Sequence, residues 1–176
     1  YTTLFRSRTL YVVGTRYAAL LVLPVLATLY AVGSSFLREW MGPTIAERGT
    51  AVLRVLVVSQ AFALPQLLAH GILKGTGRIR FLAWTLLAQA VLNLVLSLWW
   101  VTTHGLVGVA MGTLVSVLVV NVVVMPWALC RLLALHPLHY AVRAYAVPLV
   151  LAAGFVAAQA WFPVAPRSYA GIAAYA

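Results

Sequence analysis

Three polar side chains share one face of an otherwise apolar stretch of this sequence. Gln66, His70 and Lys74 lie four residues apart, and residues at this spacing lie on one side of an α-helix. Arg54 interrupts the same stretch nearer its beginning. Cations attract phosphate groups, and amides can hydrogen-bond to sugar hydroxyls. We therefore predict that Arg54, Gln66 and His70 contact an anionic substrate, such as a diphosphate-linked lipid.

A second polar stripe, Gln89, Asn93 and Ser97, follows in the next apolar stretch. Asn93 is the fourth predicted substrate contact. Both stripes have an alternative interpretation, because polar side chains also hydrogen-bond one membrane helix to another. The alternative for Arg54 is that its long side chain extends to the membrane surface. Asn121 lies in a later apolar stretch, where a contact between helices is the favoured explanation.

The remaining reactive side chains do not form a recognisable catalytic or metal-binding pattern. The two carboxylates, Glu39 and Glu47, fall in one predicted polar loop, where exposure to water explains them. Without an aspartate the chain has no Ser-His-Asp triad. Its single cysteine, Cys130, and its histidines are not at metal-ligand spacing. We predict no catalytic residue, no metal, no cofactor and no enzymatic activity.

The composition identifies lipid as the solvent of these side chains. Hydrophobic residues make up 64% of the chain and charged residues 8%, against about 45–50% and about 25% in a soluble domain. A soluble protein of 176 residues has too little interior to bury so much apolar surface. The net charge of +10 comes from cations at the ends of apolar runs, not from one patch. We therefore predict a membrane protein with no nucleic-acid partner.

The apolar runs predict an all-α, polytopic transmembrane bundle of about five spans in a single domain covering residues 1–176. Each run approaches the roughly 20 residues that a helix needs to cross a bilayer. The predicted spans are residues 17–36, 51–73, 81–101, 106–127 and 145–162. Residues 163–176 are expected to begin a further, truncated segment, so the chain is interpreted as an internal piece of a longer protein.

The distribution of cations predicts the orientation of the bundle. Most Lys and Arg residues precede the first span or lie between the second and third, or the fourth and fifth. Cytoplasmic loops are enriched in these residues, which predicts a cytoplasmic N-terminus and an external C-terminus. Lys74, Arg78 and Arg80 lie in the turn after the second span. We expect them to anchor that turn at the anionic surface of the cytoplasmic leaflet.

Two further patterns predict how the third and fourth spans pack. Only the short segment 102–105 separates them, which requires them to be antiparallel neighbours. Gly108, Gly112 and Ser116 fall four residues apart, and such a stripe of small side chains lets two helix backbones approach closely.

Several short segments are similar, in order and spacing, to the polysaccharide and O-antigen flippases. These belong to the multidrug/oligosaccharidyl-lipid/polysaccharide (MOP, MATE-like) exporter superfamily, and the resemblance covers most of residues 10–135. The segments are Gly14-Thr15-Arg16-Tyr17, Leu23-Pro24, Leu37-Arg38-Glu39-Trp40-Met41-Gly42, Leu73-Lys74-Gly75-Thr76-Gly77-Arg78, Val91-Leu92-Asn93-Leu94-Val95-Leu96-Ser97 and Gly105-Leu106-Val107-Gly108-Val109-Ala110.

The resemblance implies part of the C-terminal half of a transporter of about fourteen spans. Such a flippase moves lipid-linked oligosaccharides across the bacterial inner membrane by alternating access between two lobes. The implied partners are the lipid-linked oligosaccharide, membrane lipids, the N-terminal half of the same protein and polysaccharide-assembly proteins. The resemblance assigns no role to any single residue of this chain.

Two other functions remain open from the sequence. A multidrug or cation antiporter of the same superfamily shares the architecture, although cationic drugs favour carboxylates within the membrane and no span here contains one. A membrane-embedded glycan polymerase or ligase is the other alternative. Such an enzyme should have large external loops with polar catalytic residues, whereas the outward loops here are short.

Overall fold

A computed structural model describes residues 2–134 and 136–161, and within these ranges it describes side chains except at 2–8, 137–139, 152 and 155–161. The described residues are almost entirely helical and contain no strand, so the predicted all-α class is confirmed. The expected segment 163–176 and the last residue of the predicted fifth span lie outside the described residues. The helices are α1 (Thr2–Met41), α2 (Pro43–Ala63), a 3-10 turn (Leu64–Gln66), α3 (Leu67–Gly75), α4 (Ile79–Val117), a π-helical segment (Leu118–Val124), α5 (Met125–Leu132) and α6 (Pro137–Trp161).

Helices α1 and α2 form an antiparallel hairpin around Gly42. Gly42 has a φ of 87°, in the left-handed region that glycine adopts readily, and Pro43 begins the next helix where its missing N–H costs nothing. This turn is much shorter than the polar loop expected from the sequence. Glu39 and Glu47 therefore lie on the adjoining ends of two helices, where both are exposed.

Helix α2 continues into α3 through the 3-10 turn at Pro65, and together they cover Pro43–Gly75. A proline inside a helix removes one hydrogen bond of the α-helical ladder. The missing bond at Pro65 accounts for the change from α-helix to the tighter 3-10 geometry. This combined helix begins well before the predicted second span. Arg54 therefore lies about 16 Å along the helix axis from Pro43, farther from the helix end than the sequence indicated.

Within α4 the chain reverses direction at Gly105. Its φ of 58° and ψ of −137° interrupt the helical backbone. Residues on the two sides then pair in antiparallel order. The Thr113 hydroxyl is 3.2 Å from Oδ1 of Asn93, and the Ser97 hydroxyl is 3.3 Å from the carbonyl oxygen of Val109. The predicted antiparallel packing of residues 81–101 and 106–127 is thereby confirmed.

The predicted stripe of small residues lies at the contact between these two arms. A Cβ added to Gly108 would overlap the carbonyl oxygen of Trp100, and one added to Gly112 would lie 2.8 Å from the backbone nitrogen of Ser97. Ser116 continues the stripe and is buried. The absence of side-chain carbon at the two glycines therefore allows the backbones to touch.

Three helical stretches are long and apolar enough to cross a membrane: Thr9–Met41, Pro43–Gly75 and Ile79–Leu133. The third has 55 residues and contains the reversal at Gly105. Many large apolar side chains on these stretches are exposed; Leu21 is 77% exposed and Leu106 is 71% exposed. The exposed apolar surface is larger than the isolated apolar patches found on soluble monomers. A surface of this kind is suited to contact with lipid.

A buried apolar cluster lies at one end of the bundle. It joins the third turn of α1 and the first turn of α4 to α3, α5 and the beginning of α6; members include Tyr11, Leu73, Leu82, Leu129 and Tyr140. The turns at Gly42 and Gly105 lie at the other end. We call these the α3–α4 end and the Gly42 end. Helix α1 packs along α2 and α6, and α4 packs on α2.

Candidate functional site

Gln66 is the centre of a buried hydrogen-bond network at the α3–α4 end. Its side chain is 1% exposed. The Tyr11 hydroxyl donates to Gln66 Oε1 at 3.2 Å, and Gln66 Nε2 donates to the hydroxyls of Tyr140 and Tyr145, each at 3.1 Å. One amide thus connects α1, the 3-10 turn and α6. Each bond satisfies a polar atom that would otherwise be costly to bury.

Tyr140 extends this network to a further residue of α1. Its hydroxyl donates to Oγ1 of Thr15 at 3.5 Å. The rings of Tyr140 and Tyr11 stack with centroids 4.4 Å apart, and Tyr145 meets the Tyr140 ring edge-on at 6.3 Å. We call Tyr11, Thr15, Gln66, Tyr140 and Tyr145 the Gln66 network. Ring contacts and hydrogen bonds together hold the side chains of Tyr140 and Tyr145 in place.

A cavity of about 690 Å³ lies beside the Gln66 network, between the π-helical segment, α5 and α6. Its polar groups come from Gln66, Asn121, Tyr140 and Tyr145, and its remaining walls are apolar. The volume falls within the usual range of about 300–1,000 Å³ for small-molecule sites. The accessible wall of the cavity is almost entirely apolar, because Gln66, Asn121 and Tyr140 are buried and hydrogen-bonded within the protein.

The cavity borders the π-helical segment Leu118–Val124. A π-helix inserts extra backbone into a turn, and such insertions are frequent at functional sites. Asn121 in this segment is buried, and its Nδ2 donates to the carbonyl oxygen of Val117 at 3.3 Å. This bond lies within one helix and does not connect two helices, so the contact expected from the sequence is not formed through Nδ2.

The four residues predicted to contact substrate are not brought into one site. Gln66 lines the cavity. Arg54 is exposed, with its guanidinium 5.4 Å from the centroid of the Tyr30 ring. Asn93 accepts the hydrogen bond from Thr113 that joins the two arms of α4, which is the alternative interpretation of its stripe. His70 lies one turn from Gln66, and its buried Nε2 has no hydrogen-bond partner among the described residues.

The predicted anchors Lys74, Arg78 and Arg80 are all exposed at the α3–α4 end. Arg131, in the last turn of α5, and Arg143, in the second turn of α6, lie at the same end. The sequence pattern had placed all five on one side of the membrane. Both acidic residues lie at the Gly42 end, so the two ends of the bundle differ in charge.

Sequence reasoning did not identify the tyrosines of the Gln66 network. Tyr11, Tyr140 and Tyr145 lie near the ends of apolar runs, where tyrosine is common at any membrane interface. No local spacing links residues of the first and sixth helices. The one feature of the sequence that could have pointed to these tyrosines is their nearness along the chain to Arg and Lys residues. Many other residues share that feature.

The arrangement suits the apolar part of a ligand, because the Gln66 amide is already used in three hydrogen bonds within the protein. No group of three or more His, Cys, Asp or Glu side chains lies together among the described residues. Of the residues that the structure describes, no Asp, Glu, His, Cys, Lys or Arg lines the cavity. Comparisons with protein-family models, curated proteins and solved structures give no match to this chain.

Proposed function

We propose that this chain is part of the C-terminal half of a flippase that moves lipid-linked oligosaccharides across the bacterial inner membrane. The observation that carries the proposal is the largely apolar cavity beside the Gln66 network. A lipid-linked oligosaccharide has an apolar chain, and the cavity offers it a largely apolar wall with the partly exposed Tyr145 at one side. Trp127 lines the cavity and contacts Arg131, and a cation beside the cavity favours a ligand with phosphate groups.

In the proposed mechanism, two lobes rock and expose a shared cavity to each side of the membrane in turn. This chain supplies one wall, and the N-terminal half of the same protein supplies the other. The Gln66 network would keep α1 and α6 together during the motion, since its hydrogen bonds connect these helices. The adjacent cavity would contact the ligand.

The proposed topology is about five crossings with the N-terminus in the cytoplasm and the C-terminus outside. The crossings are α1, the α2–α3 helix, the two arms of the Ile79–Leu133 helix and α6. The reversal at Gly105 supports dividing that long helix. The clustering of Lys74, Arg78, Arg80 and Arg131 at one end supports a cytoplasmic location for that end.

The cavity provides the test of function. Ala146 lines it, whereas Ala153 is an exposed alanine on the same helix outside its lining. The full-length protein is reconstituted in liposomes with a fluorescent lipid-linked oligosaccharide, and translocation is followed by quenching from outside. We expect Ala146→Trp to reduce the rate at least tenfold, because the indole projects into the cavity and obstructs the ligand, and Ala153→Trp to leave it near wild type.

The same liposomes distinguish the two alternatives. Efflux of a cationic dye without translocation of the glycolipid would support the antiporter. Elongated or transferred glycan in the product would support the polymerase or ligase. The absence of a carboxylate from the cavity lining argues against a cationic ligand. If wild-type protein moves no glycolipid, or if both tryptophan variants move it equally well, the flippase proposal is wrong.

A further inference from the structure

A second, smaller cavity lies at the α3–α4 end, on the other side of Trp127 from the cavity described above. Its volume is about 270 Å³. Two arginines from separate helices line it: Arg78 immediately precedes α4, and Arg131 is in the last turn of α5. The other lining residues are Leu73, Phe81, Trp127, Ala128 and Leu132. The cavity therefore presents two cations against an apolar and aromatic wall.

Neither arginine has a carboxylate partner available nearby in this chain. The sequence has two acidic residues, Glu39 and Glu47, and both lie at the opposite, Gly42 end. Two cations that share a cavity repel each other unless an anion lies between them. An external anion would remove this repulsion.

Arg131 is held in place by an aromatic contact. Its guanidinium lies 4.3 Å from the centroid of the Trp127 ring, a cation–π geometry that leaves the N–H groups at the edge of the guanidinium free to donate. A planar guanidinium recognises phosphate through paired hydrogen bonds. Phosphate is therefore the chemistry that this pair of arginines fits best.

The size and position of the cavity indicate the source of the phosphate. A space of about 270 Å³ holds a phosphate with its glycerol but not an oligosaccharide. Exposed apolar side chains surround it: Phe81 is 38% exposed and Trp127 is 52% exposed, so acyl chains could continue along the outside of the helices. Basic pockets between helices on the cytoplasmic side of membrane proteins bind anionic lipid headgroups.

We propose that Arg78 and Arg131 form a binding site for the phosphate of an anionic membrane phospholipid. The site is separate from the cavity beside the Gln66 network, and it does not depend on what that cavity transports. Because Trp127 lines both cavities, a lipid bound to Arg131 also stabilises one wall of the larger cavity.

The test is lipid retention by the full-length protein. Protein reconstituted with phosphatidylglycerol and phosphatidylcholine in equal amounts is extracted in mild detergent, and bound lipids are counted by native mass spectrometry. We expect wild-type protein to retain phosphatidylglycerol in preference. Arg78→Gln/Arg131→Gln should reduce retention at least tenfold, since each arginine near the surface contributes about a fivefold factor. The matched control, Arg38→Gln/Arg48→Gln, removes two exposed arginines from the Gly42 end and should retain wild-type levels.

Three results would overturn the proposal. Equal loss in both double variants would indicate general attraction between a cationic protein and anionic lipid. Equal retention of the two lipids by wild-type protein would show that charge is not recognised. Displacement of the lipid by millimolar inorganic phosphate would identify a site for the free ion.

A measurement on wild-type protein keeps the test decisive if the glutamine variant fails to fold. A phosphatidylglycerol with a photoreactive group next to its phosphate is cross-linked to the protein, and labelled peptides are sequenced. We expect labelling within 127–132 and 78–81 that unlabelled phosphatidylglycerol suppresses and phosphatidylcholine does not. Labelling elsewhere only would contradict the assignment. Flippase activity is not used as a readout, so failure here leaves the proposed transport function standing.

Discussion

The rings of Tyr11 and Tyr140 stack with centroids 4.4 Å apart and planes within 4° of parallel. Tyr11 lies near the beginning of α1 and Tyr140 near the beginning of α6, and both side chains are buried. Gln66 lies between their hydroxyls, accepting from one and donating to the other. Three separate helical elements therefore meet at one amide.

The first prediction concerns the stability of the Gln66 network. Gln66→Leu removes three hydrogen bonds and leaves the Tyr11 hydroxyl without its acceptor. We expect a loss of about 1–3 kcal/mol in the free energy of unfolding, because a buried donor then lacks a partner. Gln60→Leu is the control, since Gln60 is exposed on the same helix. Thermal unfolding of the full-length protein in detergent measures both, and equal melting temperatures would contradict the prediction.

The second prediction concerns the close contact between the two arms of the Ile79–Leu133 helix. A Cβ at residue 112 would lie 2.8 Å from the Ser97 nitrogen, and backbone atoms cannot rotate away. We expect Gly112→Ala to destabilise the protein by about 1–3 kcal/mol, the usual cost of overpacking. Gly71→Ala has nothing within 4 Å of the new carbon and should stabilise by up to about 1 kcal/mol through higher helix propensity. Thermal unfolding measures both variants. Changes in melting temperature of opposite sign support the close packing at Gly112, and changes of the same sign argue against it.

The third prediction concerns the backbone at Gly105. Its φ of 58° with ψ of −137° is a conformation that side-chain-bearing residues rarely adopt, and nothing lies within 4 Å of an added carbon. We therefore expect Gly105→Ala to lower the free energy of unfolding by about 1–3 kcal/mol, through backbone strain and not through a steric clash. Gly75→Ala also meets open space and serves as the control. The prediction fails if chemical denaturation gives the same stability for both variants.

The fourth prediction concerns which ends of the helices share a side of the membrane. Gly75 lies at the α3–α4 end and Thr103 beside the reversal at Gly105. Single cysteines at these positions, in a Cys130→Ala background, should react with an impermeant maleimide from opposite sides. We expect external labelling at residue 103 in intact cells, and at residue 75 only after the membrane is made permeable. External labelling of both would rule out the proposed topology.

The sequence predicted the features of this chain that depend on local composition. Apolar runs and the scarcity of charge indicated membrane helices, and a short segment ending in Gly105 indicated antiparallel neighbours. The cations of the α3–α4 end were grouped correctly because charge near helix ends is a local property. Gly108 and Gly112 were identified because helical spacing of four residues is visible in one segment.

The tertiary structure alone decided which polar side chains meet. Gln66, His70, Asn93 and Arg54 all interrupt apolar runs in the same manner, yet only Gln66 lines the cavity. Its partners Tyr11 and Tyr140 belong to the first and sixth helices, and no local pattern predicts a contact across that separation. Arg78 and Arg131 likewise share a cavity because α3 packs on α5. Periodicity determines the face of a helix on which a residue lies, whereas packing between distant helices determines what that face contacts.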